Sequence, residues 1–108
     1  MAQTLYCVAF EDDEAFVGMR GDHMPAHLAF LSANPAIVAA GPLMAAFGAK
    51  GEELAGTGGL WLVEGVDRAA VLALVKADPF WSTGLRKSVR IMEWRLVHAH
   101  AHLSAQSA

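Results

Sequence analysis

Two stretches of this chain are apolar without interruption, and they limit its fold more than any other feature. Residues 5–10 read LYCVAF and residues 60–63 read LWLV. Neither alternates apolar with polar side chains, so each reads as a strand with both faces turned from water. Covering both faces of a sheet takes two layers. Yet the chain has room for only two helices of useful length, and two helices cover one face of a four-stranded sheet. The second face calls for another copy of the chain.

The remaining segments fall around those strands. Residues 11–22 form a polar connection broken by Gly18 and Gly21. A helix is predicted from about Pro25, where proline suits a first turn, to Ala33, with Asn34-Pro35 as its stop. A second strand runs over residues 37–40 and closes at Gly41-Pro42. Residues 43–57, with Gly48, Gly51 and Gly56, read as a long mobile hairpin loop. The third strand begins near Gly58, and a helix follows that Asp67 caps. Thr83-Gly84 makes a turn before a last strand over residues 89–97. The order is β-α-β-β-α-β, an α+β ferredoxin-like fold with a four-stranded antiparallel sheet and helices on one face.

At 108 residues the chain is one domain, expected over residues 1–97, with a His/Ala-rich tail over 98–108. Hydrophobic residues make up 55% and charged residues 18%, an apolar excess that again favours a homodimer through the sheet face. No apolar run approaches bilayer-spanning length, and no basic residue precedes the first one, so neither a membrane span nor a signal peptide is expected. Cys7 has no partner for an intrachain disulfide, which suits a reducing cytoplasm. A net charge of −3 and the lack of a basic-aromatic face argue against nucleic-acid partners.

The chemistry concentrates in Asp78-Pro79-Phe80 and in His27. The helix before Pro79 carries its apolar stripe at Ala70, Val71, Leu74 and Val75. Asp78 lies four residues after Leu74, so it extends the stripe and turns a carboxylate inward. His27, one turn before Leu31, sits on a face at least partly buried. An inward acid and an inward base make an acid–base dyad if the fold joins them. An aspartate before proline also caps a following helix, a role compatible with orienting a histidine.

Other groups read more plainly. His23 and His27 have metal-ligand spacing, but Pro25 between them marks a helix start and leaves His23 outside. His98, His100 and His102 alternate with alanines and read as a solvated tail. Neither a metal nor a cofactor is called for. Arg86, Lys87, Arg90 and Arg95 read as a solvated strand edge. Trp61, Trp81 and Trp94 read as core or interface residues, with Trp81 also placed to line a pocket. Cys7 has nothing beside it to lower its pKa and is a poor nucleophile.

Three short motifs carry a family resemblance: Ala26-His27-Leu28-Ala29-Phe30-Leu31, Ala40-Gly41-Pro42-Leu43, and Asp78-Pro79-Phe80 followed by Gly84-Leu85. In their order and spacing the chain resembles the YciI-like (YCII-related) proteins of the dimeric α+β barrel group, over residues 5–97. The resemblance implies a His–Asp active site at His27 and Asp78, with Gly41 and Pro42 at the pocket. Arg20, His23, Phe80 and Trp81 complete the expected substrate-binding set. The family usually carries an arginine three residues before its histidine, where this chain has Met24; Arg20 is nearby but would need a different backbone path to replace it. A family proline is replaced by Glu93. A few relatives resemble lyase-type enzymes acting on small aromatic or lactone-like compounds. The expectation is a lyase- or isomerase-like enzyme for a small organic molecule. The alternative is a non-catalytic ligand-binding or assembly domain with a structural His–Asp pair.

Overall fold

In the computed structural model the described residues are 4–16, 18–54, 58–98 and 100. The central strand β1 (Thr4–Asp12) is followed by a single 3-10 turn at Glu14–Phe16 and by helix α1 (Met19–Ala33). Strand β2 (Ile37–Leu43) leads into a short hairpin of β3 (Ala46–Phe47) and β4 (Glu53–Leu54). Strand β5 (Gly58–Gly65), helices α2 (Arg68–Ala77) and α3 (Pro79–Ser82), and strand β6 (Arg86–Glu93) complete the chain. The main sheet has the order β2-β5-β1-β6 with every pair antiparallel, the ferredoxin-like arrangement.

Parity along β1 builds the core. Tyr6, Val8 and Phe10 are buried toward the helices, as are Trp61 and Val63 on β5, and Val71 and Val75 of α2 pack onto them. Phe10 and Trp61 meet edge to face at 5.0 Å. Burying each such side chain stabilises the fold by roughly 1.5–3 kcal/mol. The opposite parity of β1, β5 and β6 carries Leu5, Cys7, Leu60, Leu62 and Met92, all half-buried, and among the described residues no helix lies over them. Asp67 caps α2 by accepting from the Ala70 backbone N–H at 2.8 Å.

The structure moves four boundaries. Helix α1 begins at Met19 and contains Pro25, so His23 lies inside it and the polar connection is shorter than expected. The carbonyl that Pro25 leaves unbonded is that of Gly21, an exposed residue, so water can satisfy it. Gly41-Pro42 lies within β2 rather than closing it; β2 is an edge strand, where a missing N–H costs little. The 43–57 loop contains the β3–β4 hairpin, turned at Gly51 with φ +82, and Gly56 lies outside the described residues. The last strand runs from Arg86 to Glu93, not from Val89 to Val97, because its extent is set by pairing with β1 and not by its own apolar content. The tail from His98 lies largely outside the described residues. Among the described residues no helix is long and apolar enough to cross a membrane.

Candidate active site

Helix α1 sets one wall of the site. Arg20, Met24, His27 and Leu31 recur at spacings of four, three and four, so they share one face. His27 is the buried residue of that helix. Its ring stacks on Phe80 with centroids 4.2 Å apart and planes 19° from parallel. His27 Nδ1 lies 2.7 Å from Asp78 Oδ1, with the two side chains 9% and 2% exposed.

Asp78 reaches that position from the α2–α3 junction. Pro79 ends α2 and opens α3, and Asp78 Oδ1 accepts from the Phe80 backbone N–H at 3.3 Å. One carboxylate therefore both caps α3 and holds the imidazole. Phe80, fully buried beneath the ring, is placed by that same cap.

A second buried carboxylate lies beside the pair. Asp12 follows Tyr6, Val8 and Phe10 on the inward side of β1 and is 7% exposed. Its Oδ2 accepts from Arg20 Nε at 3.2 Å and Nη2 at 2.6 Å, and its Oδ1 accepts from Arg86 Nη1 at 3.0 Å. Arg86 Nη2 stands 3.8 Å from Asp78 Oδ2, which links the two carboxylates. Burial presses the Arg86 pKa below its usual value, while the charges of Asp12 and Asp78 act against that shift. The Arg86 guanidinium lies 4.2 Å from the centre of the Phe10 ring.

Arg20, His27 and Arg86 border a cleft that is partly open to solvent. Met24, Leu28, Leu31, Ala40, Pro42 and Trp61 form its apolar walls, with Arg20, His27, Gly41, Gly59 and Arg86 completing it. An apolar cleft with a few converging polar groups suits a small organic molecule. Gly59 of β5 borders it, next to Gly58. A Cβ at Gly58 would fall on the Phe10 carbonyl, and one at Gly59 would stand 3.2 Å from Arg86 Nη1.

Of the residues expected from sequence, His27 and Asp78 are in contact, and Arg20, Gly41 and Pro42 border the cleft with His27. Phe80 lies under the imidazole instead of lining the cleft. Trp81 packs on the core, and neither it nor His23 borders the cleft. Arg20 reaches the site without a different backbone path, because α1 extends back to it. Arg86 corrects the expectation of a solvated edge: its side chain is 3% exposed. Asp12, read as part of a polar connection, is buried; the i, i+2 parity from Tyr6 was the signal that marks it. Among the described residues, no three His, Cys, Asp or Glu side chains converge as a metal site.

A ferredoxin-like α+β domain with a buried His–Asp pair at the edge of an apolar cleft is the class that fold and site define. The chain belongs to the YCII-related domain family, which matches residues 4–95. Among solved structures it is similar to 5-chloro-2-hydroxyhydroquinone dehydrochlorinase (TftG) from Burkholderia phenoliruptrix AC1100, in complex with 2,5-dihydroxybenzoquinone. The two share 28% identity and a TM-score of 0.66, over 84% of this chain and 93% of that one. No curated protein matches the chain.

Proposed function

We propose that this protein is a small-molecule enzyme in which His27 moves a proton and Asp78 holds it in place, in a lyase-like elimination on a small hydroxylated ring. The observation that carries the reading is the 2.7 Å contact between two nearly buried side chains, one of which borders the cleft. An ionised carboxylate only accepts hydrogen bonds, so the proton of a neutral His27 sits on Nδ1. The lone pair is then on Nε2, the ring nitrogen left for a ligand. When Nε2 takes a proton, the Asp78 charge stabilises the imidazolium.

The lining of the cleft includes no Ser, Thr, Cys or Lys among the described residues, which favours proton transfer over covalent catalysis. In such an elimination the base removes a proton from the substrate, and the freed electron pair moves through the ring. The leaving group departs with its own bonding pair, and the imidazolium returns the proton to solvent. The similarity to a dehydrochlorinase supports this class, since that enzyme's name describes loss of hydrogen chloride.

The enzyme works as a homodimer in the cytoplasm in this reading. Leu5, Leu60, Leu62 and Met92 form the uncovered sheet face, and a second copy would bury it with Trp94, 40% exposed, at its edge. A reducing compartment keeps the single Cys7 on that face a thiol.

Chloride release from 5-chloro-2-hydroxyhydroquinone tests the reaction. Turnover is expected from the parent, with a loss of roughly 10²–10⁴-fold in His27→Gln. A parent that releases no chloride would refute the elimination, and His27→Gln working at the parent rate would refute the dyad. Asp78→Asn that keeps both fold and turnover would make the pair a structural hydrogen bond.

A further inference from the structure

Arg86 is bound less completely than its burial demands. The side chain is 3% exposed, and among the described residues its Nε has no hydrogen-bond partner. A guanidinium offers five N–H donors, and a buried charged donor left unmet is costly. Nη1 is taken by Asp12, while the contact of Nη2 with Asp78, at 3.8 Å, is too long for a hydrogen bond. The other oxygen of Asp12 is held by Arg20, through both Nε and Nη2.

The charges around the cleft lead the same way. Arg20 and Arg86 stand against Asp12 and Asp78, two cations against two anions. A proton gained by His27 adds a positive charge that no further carboxylate in this group balances. The fork of Arg86 is also held rigidly, with its Cζ 4.2 Å from the Phe10 ring centre and 5.3 Å from that of Phe80. A fixed, unsatisfied guanidinium beside a base, in a cleft walled by Met24, Leu31 and Trp61, suits a flat ring with an ionised oxygen.

We propose that Arg86 is the residue that binds a substrate oxyanion, a phenolate or enolate oxygen on a small ring, while His27 acts on the same molecule. This inference rests on the proposed acid–base function and adds to it the substrate's charge and the residue that selects it. Desolvation of Arg86 is relieved when the oxyanion arrives, which makes the cleft discriminate against an uncharged ring.

Two probes of similar size separate charge from shape. 2,5-Dihydroxybenzoquinone is a vinylogous acid, anionic at neutral pH; hydroquinone is a neutral ring. Calorimetric titration of the parent and of Arg86→Lys, which keeps the charge but removes Nε and the planar fork, reads the difference. Arg86→Lys is expected to weaken the anion at least tenfold and hydroquinone less than twofold. In the parent, the Arg86 Nε–Hε cross-peak in an NMR titration is expected to move as the anion saturates.

Equal weakening of both probes, or unchanged anion affinity in Arg86→Lys, would overturn the assignment. So would a parent that does not bind the anion. If Arg86→Lys does not fold, the parent decides alone, and an Nε–Hε cross-peak that stays in place at saturation refutes the role. The acid–base reading fails separately, through parent-like turnover in His27→Gln, a result that these binding titrations do not affect.

Discussion

The contact between His27 and Asp78 should appear as a coupling energy that can be measured without any substrate. The suitable perturbation is a double-mutant cycle of His27→Phe, Asp78→Asn and the two together. Phenylalanine keeps a flat ring against Phe80, 4.2 Å away in the parent, and has no hydrogen-bonding atom to form a substitute contact. Asparagine keeps the volume of Asp78 and can still accept from the Phe80 N–H, at 3.3 Å in the parent, so α3 stays capped. His27→Phe removes the 2.7 Å bond between side chains 9% and 2% exposed, and Asp78→Asn removes the charge that strengthens it. Hydrogen bonds to charged groups contribute about 1.5–3 kcal/mol, and the dryness of the site places this one in the upper half. His27→Phe alone should cost about as much, since it strands a buried carboxylate with only Arg86 at 3.8 Å for a counter-charge. The double variant should then be more stable than additivity allows by about 2–3 kcal/mol. Urea unfolding read by tryptophan fluorescence suits the assay, because Trp61 is 1% exposed and reports the core. Protein concentration must be held fixed, since association adds to apparent stability. A coupling below about 0.5 kcal/mol would mean that no strong bond exists, and the proposed base would lose its orienting partner.

Two further outcomes follow from the sheet and from the tail. Light scattering at micromolar concentration should show a dimer, and Leu62→Lys, on the uncovered face, should give a monomer; a monomeric parent would refute the face-to-face assembly. Removing residues 104–108, a segment without a large aliphatic side chain, should leave melting temperature and oligomeric state unchanged, and a large fall in either would show that the segment docks.

How much of this was legible in the sequence depended on whether the signal was local. Strands apolar on both sides, the Asp67 cap and the turn at Gly84 all depend on neighbours a few residues away, and each was readable. Asp78 was readable for the same reason, since a stripe four residues long carries it inward. The start of α1 was not, because proline is common in a first turn and nothing in the sequence says that Gly21 will be left exposed to water. Arg86 was hidden for a different reason. Counting back by twos from Ile91 and Val89 turns Lys87 inward and Arg86 outward. The pairing, however, passes from Glu11↔Ser88 to Asp12↔Arg86, and this slip of one residue reverses the parity. Only the partner strand contains that information. The meeting of Arg20, Asp12 and Arg86 is therefore tertiary, although each residue lies in the open in the sequence.

The two glycines that begin β5 decide where this cleft can be changed. No side chain fits at Gly58, where a Cβ would meet the Phe10 backbone, and little room exists at Gly59 beside the Arg86 guanidinium. The rim contributed by β5 is thus closed to retuning by substitution. The wall contributed by α1 is not: Met24 and Leu31 are half-buried, Leu28 is 54% exposed, and all three border the cleft. A library meant to change what this cleft accepts belongs at positions 24, 28 and 31, where a changed side chain meets a ligand before it meets the fold.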